Sequence, residues 1–183
     1  MSTVRNLSAL TPEQYLDTER AAAARHELVA GQLQQMVGAS QFHNLITAAF
    51  AARLYAALEA PWHVYISDAK VRVEDDFYYP DLMVSREPVA KDTYYLVEPT
   101  VVVEVLSPTT EVRDRLEKRL GYQRLPSLRE YVLVSQERLS IEVFRRRAGG
   151  WEVETHGTGD TLELVSIGFA APVDDLCRDI SGR

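Results

Sequence analysis

Between Ser40 and Leu58 the apolar residues Phe42, Leu45, Ile46, Ala49, Phe50, Leu54, Ala57 and Leu58 recur at three- and four-residue spacing, the period of one helix face. The pattern predicts an amphipathic helix, capped by Ser40 and laid on a sheet. An earlier helix is announced by Thr11-Pro12-Glu13-Gln14, where Thr11 caps, Pro12 suits the first helical position and Gln14 returns the capping bond; it should run to about Ala24. Between the two, HELVAGQLQQMV holds two short extended runs around Ala30-Gly31, the pattern of a hairpin.

From Trp62 the pattern changes to strands. WHVYIS, AKVRVE and YYPDLMVS are broken by Glu74-Asp75-Asp76, which reads as an exposed turn, and TVVVEVLSP follows at Thr100. Pro108 restricts Ser107 to an extended conformation and suits a helix start, so the strand ends there and a helix is expected from about Pro108 to Leu125. REYVLVS is the next strand, and SIEVFRRR and WEVETHG flank the turn Ala148-Gly149-Gly150. Short runs near Leu162 and Ile167 should finish the sheet before a tail from Pro172 to Cys177. The order of elements predicts an α/β (α+β) fold, a mixed sheet flanked by helices, with residues 1–183 as a single domain and no repeat or linker.

Composition narrows the class. Apolar residues make up 46% and charged residues 26% of the chain, as in ordinary globular proteins. The single Cys177 excludes an internal disulfide framework and a cysteine-rich zinc site. No signal-peptide core is present in MSTVRNLSALTPEQY, and AAFAARLYAAL is too short for a membrane span and carries Arg53, so the expectation is a cytoplasmic protein that does not enter a membrane. The net charge of −7 argues against coating nucleic acid by general electrostatics. Yet Arg113 to Arg147 holds ten Lys or Arg against five Asp or Glu, which leaves room for a basic face.

Glu104 is the feature that composition does not explain. It stands among four valines and a leucine in a strand that reads as buried on both faces, and a carboxylate taken out of water without a partner costs several kcal/mol. Either it reaches solvent or an arginine near the strand end, or it holds a hard cation, because Mg²⁺ takes one or two carboxylates plus substrate phosphates. Asp81, after Pro80 at the start of another strand, is a second acid; alone, Pro-Asp is a turn dipeptide. On the following helix Asp114, Lys118 and Tyr122 are four apart and share a face, which by spacing alone is an exposed Asp-Lys pair.

PDLMV, followed by VVVEVLSPTTEVRDRLEKRLGYQRLPSLREYVLV, resembles the Uma family of restriction-type endonucleases, a branch of the PD-(D/E)XK nuclease superfamily. The likeness extends to RHELVAGQL and SQFHNLI, and so covers roughly Thr11 to Glu142. It implies a restriction-endonuclease-like core in which Asp81 and Glu104 bind the metal, the carbonyl of Val105 completes the metal sphere and Glu27 is a further acid of the site. The superfamily's lysine two positions after the Glu would fall on Leu106. In some branches the following helix supplies it, and here Lys118 is the candidate, with Tyr122 beside it.

The resemblance therefore implies an endonuclease that uses Mg²⁺ or Mn²⁺ to hydrolyse DNA, with the basic segment lining the substrate path. The alternative is a nuclease-fold binding or regulatory module, as a homodimer, with weak or no catalysis; Leu106 and the acidic net charge keep that reading open. An RNA nuclease or a toxin-like partner of another protein is not separated from the first reading by sequence. His43 matches a family position but reads as a hydrogen-bonded packing residue, and His26, His63 and His156 lack metal-ligand spacing. Arg145-Arg146-Arg147 reads as a solvated strand edge, and Cys177 as an idle thiol.

Overall fold

The computed structural model describes residues 9–108 and 110–178, so most of the stretch read as free of a signal-peptide core, residues 1–8, lies outside it. Helix α1 (Pro12–Ala21) opens with the expected capping box: Thr11 Oγ1 accepts from the Gln14 N–H and Gln14 Oε1 from the Thr11 N–H. It stops at Ala21 rather than Ala24 because Ala22 turns extended and Glu19 reaches forward to accept from the His26 N–H. Strands β1 (His26–Val29) and β2 (Gln32–Gln35) form the expected hairpin, with Ala30 (φ 49°) and Gly31 (φ 75°) both left-handed, as a two-residue turn requires.

Helix α2 (Gln41–Ala57) starts where Ser40 Oγ accepts from the His43 N–H. Its fully buried seam is narrower than the apolar pattern: Ile46, Phe50 and Leu54 are in the core, whereas Leu45 and Ala57 are exposed. Strands β3 (His63–Ile66), β4 (Lys70–Val73), β5 (Asp76–Tyr78), β6 (Leu82–Ser85), β7 (Tyr95–Leu96) and β8 (Pro99–Val105) follow. The short β5 and β7 were not expected from the sequence. Within the acidic turn, Glu74 takes φ 56° and Asp76 already belongs to a strand; Asp76 is not exposed, and its carboxylate binds Arg124 at 2.5 Å.

A continuous helical run follows β8: α3 (Glu111–Arg113), a π-helical segment Asp114–Lys118, and α4 (Arg119–Gln123). It starts at Glu111, not at Pro108, which lies in the connection, and the π segment is a feature that single-turn bulges often bring to functional sites. Then come β9 (Glu130–Val134), β10 (Ser140–Arg147), β11 (Gly150–Gly157), β12 (Thr161–Leu164), a 3₁₀ turn Val165–Ile167, β13 (Phe169–Pro172) and the short helix α5 (Val173–Leu176).

The main sheet runs β11-β10-β9-β8-β6-β3 and is antiparallel except for the parallel pair β8·β9; a second sheet runs β2-β1-β5-β4-β7. Strands β12 and β13 pair with each other in a separate ribbon instead of finishing the main sheet. Their apolar side chains, with those of α2 and α5, cover one face of the main sheet.

Strand alternation decides where Glu104 goes. Val101, Val103 and Val105 join Ile46, Phe50 and Leu54 on one face of β8, while Val102 and Leu106 join Val71, Tyr78, Tyr122 and Tyr131 on the other. Glu104 shares the second parity and faces α4 and the second sheet. A register slip that turned Glu104 around would drive its carboxylate into the apolar face of Ile46, Phe50 and Leu54, where no cation meets it, at a cost of several kcal/mol.

The arginine triplet is not a solvated edge. Strand β11 covers β10, Arg145 is buried in an ion pair with Glu130, and Arg146 donates to the carbonyls of Leu128, Gln123 and Leu125. Arg147 alone of the three is exposed. Cys177 is buried and free, as read. Among the described residues no helix is long and apolar enough to cross a membrane.

Candidate active site

The carboxyl-terminal ends of the parallel pair β8·β9 open onto a cleft of about 850 Å³ between the β1–β2 hairpin, the first turn of α2 and the helical run after β8. Crevices at the carboxyl ends of parallel strands are where open α/β sheets bind their ligands. Glu27, Asp81, Glu104, Val105 and Lys118, brought forward from four separate stretches of the chain, all line this one cleft. Their convergence is the central geometric result.

Each is fixed by specific bonds. Asp81 precedes β6, and its Oδ2 accepts from the Val105 N–H at 2.7 Å, so Asp81 is tied to the residue after Glu104. In an extended strand a residue's N–H and C=O leave on the same side, which turns the Val105 carbonyl toward Asp81 as well. Glu104 is 3% exposed; its Oε1 accepts from Lys118 Nζ at 3.0 Å and from the Tyr122 hydroxyl at 2.8 Å. Lys118 Nζ also lies 3.4 Å from Glu27 Oε1 and 3.4 Å from Asp114 Oδ1. Glu27 accepts from the Tyr79 N–H at 2.9 Å and pairs with Arg113 at 2.6 Å.

Asp114, Lys118 and Tyr122 share a face as the spacing predicts, but that face is buried, so the pair Asp114–Lys118 is not an exposed surface pair. Tyr122 packs edge-on against Tyr78 at 5.1 Å between ring centroids, which holds its hydroxyl on Glu104. Gly121 makes that packing possible, since a Cβ there would stand 2.7 Å from the Tyr78 hydroxyl.

A family model described as "Putative restriction endonuclease", Uma2, matches residues 12–174. The chain belongs to the Uma2 family. Two proteins of Synechocystis sp. (strain ATCC 27184 / PCC 6803 / Kazusa) are similar over nearly their whole length. "Uncharacterized protein slr1290" is 33% identical across 94% of this chain and 93% of its own, and "Uncharacterized protein sll1609" is 26% identical across 90% and 96%. The crystal structure of a "putative nuclease belonging to DUF820" from Anabaena variabilis ATCC 29413 superposes with a TM-score of 0.79 at 16% identity, covering 93% of this chain and 99% of that one. At that identity the match speaks for the fold, and the mixed-sheet core of the Uma2 chain is the fold of that protein.

The electrostatics of the Uma2 site follow from burial. Desolvation pushes the Glu104 carboxyl well above the usual range; Lys118 pulls the other way, and Asp114, Asp81 and Glu27 add to the rise. Asp114 is raised for the same first reason and is likewise held back by Lys118. Burial alone would lower Lys118, but Glu104, Glu27 and Asp114 together outweigh it and keep the ammonium charged. Among the described residues Glu27, Glu104 and Asp114 share Lys118, Glu27 also meets Arg113, which is itself shared with Glu117, and Asp81 meets His43, so full ionisation leaves negative charge in excess at the site.

That excess, and the free oxygens, suit a divalent cation. The hydrogen bonds of Asp81 fall on Oδ2 and those of Glu104 on Oε1, so among the described residues Oδ1 of the one and Oε2 of the other remain to bind an ion. Among the described residues no three His, Cys, Asp or Glu side chains already form a metal cage. Two carboxylates and a carbonyl are a set that Mg²⁺ accepts when water and phosphate complete its octahedron.

His43 is hydrogen-bonded, as expected, but it is not merely a packing residue: its Nε2 lies 3.0 Å from Asp81 Oδ2 on the cleft wall. Nothing in local spacing connects a helix start to an acid 38 positions later; the resemblance over SQFHNLI was the available signal. Nor does the basic segment form a face along the cleft. Of its ten cations only Arg113 and Lys118 line the cleft, while Arg115 pairs with Glu111 and Glu142, and Arg119 stacks on Phe144.

Proposed function

We propose that this protein is a Mg²⁺- or Mn²⁺-dependent endonuclease that hydrolyses phosphodiester bonds in DNA. The observation that carries the reading is the meeting of Asp81, Glu104 and Lys118 at one cleft, with Lys118 Nζ 3.0 Å from Glu104. Membership of a family described as "Putative restriction endonuclease", and the likeness to a structure described as a "putative nuclease", support the reaction class.

Asp81 Oδ1, Glu104 Oε2 and the Val105 carbonyl would hold the cation, which when bound polarises a phosphoryl oxygen and makes water a competent nucleophile near neutral pH. Lys118, kept cationic by its three carboxylates, offsets the charge that develops on the phosphoryl oxygens in the transition state. Glu27 and Tyr122 hold Lys118 and Glu104 in place, and Arg113, on the cleft wall, is engaged by Glu27 and Glu117. The binding-module alternative drew on Leu106; Leu106 lies in the apolar cluster beside Tyr122, and Lys118 supplies the cation that Leu106 cannot. A lone buried thiol and a nucleic-acid substrate fit a cytoplasmic setting.

The test is a substrate panel: supercoiled plasmid, a single-stranded DNA oligonucleotide and an RNA of the same sequence, each with Mg²⁺, with Mn²⁺ and with chelator. Metal-dependent cleavage of either DNA supports the proposal. Cleavage of RNA alone would replace DNA by RNA, and no cleavage by folded protein would turn the reading toward a binding module.

A further inference from the structure

We infer that His43 is the positioning residue for Asp81, holding one carboxylate oxygen so that the other is presented to the cation; the inference rests on the nuclease reading above. Asp81 Oδ2 is gripped from two sides, by the Val105 N–H at 2.7 Å and by His43 Nε2 at 3.0 Å. An ionised carboxylate only accepts, so Nε2 carries the proton of that bond. With Oδ2 taken twice, rotation of the carboxylate would break both bonds, and Oδ1 is left as the oxygen free for a ligand.

The residue type follows from the contact. The His43 ring is 13% exposed, and its Nδ1 is buried with no hydrogen-bond partner among the described residues. An imidazole in such a place forfeits solvation at Nδ1, and an apolar side chain would pack there without that loss. Asp81 is the group that its polar edge meets.

The position of His43 is itself built. Ser40 Oγ accepts from the His43 N–H and donates to Gln136 Oε1 at 2.9 Å, and Thr47 Oγ1 donates to the His43 carbonyl. The first turn of α2 is thereby fixed to the loop after β9, with His43 Nε2 held against Asp81. Hydrogen-bond partners of metal-binding carboxylates typically change metal affinity by 10- to 100-fold when removed.

The experiment compares the full chain with His43→Gln, which keeps an N–H near the position of Nε2, and His43→Leu, of similar size without a donor. Mn²⁺ binding is read from the free-ion electron paramagnetic resonance signal, beside Asp81→Asn as the reference for a lost ligand and thermal unfolding as the check on folding; His43→Ala replaces the Leu variant if the latter does not fold. The inference predicts that His43→Leu weakens Mn²⁺ binding about 10- to 100-fold while His43→Gln stays within a few-fold of wild type. Equal binding by wild type and His43→Leu, with Asp81→Asn impaired, would overturn this inference and leave the nuclease reading standing. Equal loss in the Gln and Leu variants would also overturn it, assigning the effect to ring shape. Absence of binding by the wild type would overturn both.

Discussion

Lys118 Nζ lies 3.0 Å from Glu104 Oε1, although Glu104 belongs to β8 and Lys118 to the π-helical segment fourteen positions later. The residue two places after Glu104, on the same face of the strand, is Leu106, and it packs in the apolar cluster instead. A helix has thus taken over the cation that a strand could have supplied, and the arrangement makes stability and chemistry depend on the same ammonium.

Lys118→Met is expected to destabilise the protein at neutral pH by about 3–5 kcal/mol, the usual cost of leaving buried charges without their partner. Glu104, Glu27 and Asp114 would otherwise face one another, and each is at most 2–4% exposed as a side chain. Urea denaturation of wild type and variant measures the difference. A loss under 1 kcal/mol would mean that the carboxylates are not held ionised by Lys118.

Glu104→Gln should change how stability depends on pH. Burial, helped by Asp114, Asp81 and Glu27, holds the Glu104 carboxyl well above its ordinary 4.5 against the pull of Lys118. A group whose pKa is higher folded than unfolded contributes stability that is present below the unfolded value and lost as pH rises through the folded one. The variant is neutral throughout and lacks that loss. Its stability relative to wild type should therefore grow from about pH 5 upward, by about 1.4 kcal/mol for each pH unit between the two pKa values. Parallel stability curves between about pH 5 and 8 would contradict this.

Much of this was legible beforehand because it is written in local pattern. The capping box at Thr11, the Ala30-Gly31 turn and the buried run Val101 to Val105 each state their structure within a few residues. The acids Asp81 and Glu104 stood out as charges that the apolar pattern cannot accommodate. What stayed hidden depends on tertiary partners. Arg145 reads as an exposed edge until Glu130, on the neighbouring strand, is seen to neutralise it. The strands β5 and β7, of three and two residues, are too short to show alternation. The π segment leaves no periodic trace, and the contact of His43 with Asp81 is made by the packing of α2 against the main sheet.

Gly121→Ala tests whether the tyrosine packing behind the site matters. On helix propensity alone alanine gains about 1 kcal/mol. The added Cβ, however, would stand 2.7 Å from the Tyr78 hydroxyl, so Tyr78 and then Tyr122 must move. The expected net result is lower thermal stability and reduced cleavage, because the Tyr122 hydroxyl leaves Glu104. A more stable variant with unchanged activity would show that the tyrosines yield freely.

Cys177 should be inert in the native state. Burial, with Asp174 adding to it, pushes its thiol up to about 11, and the side chain is fully enclosed. Since the thiolate is the nucleophile, thiol-specific reagents at about pH 8 should react only as fast as the protein unfolds. Rapid stoichiometric labelling of folded protein would place Cys177 outside the core.

The most direct measurement of the central claim is nicking of supercoiled plasmid DNA in Mg²⁺ by wild type, Asp81→Asn and Glu104→Gln, each shown to be folded. The account predicts metal-dependent nicking by the wild type and a loss of at least about 100-fold in either variant, the size of effect seen when one group that stabilises a transition state is removed. Wild-type activity that survives in both variants would place the chemistry elsewhere in the molecule.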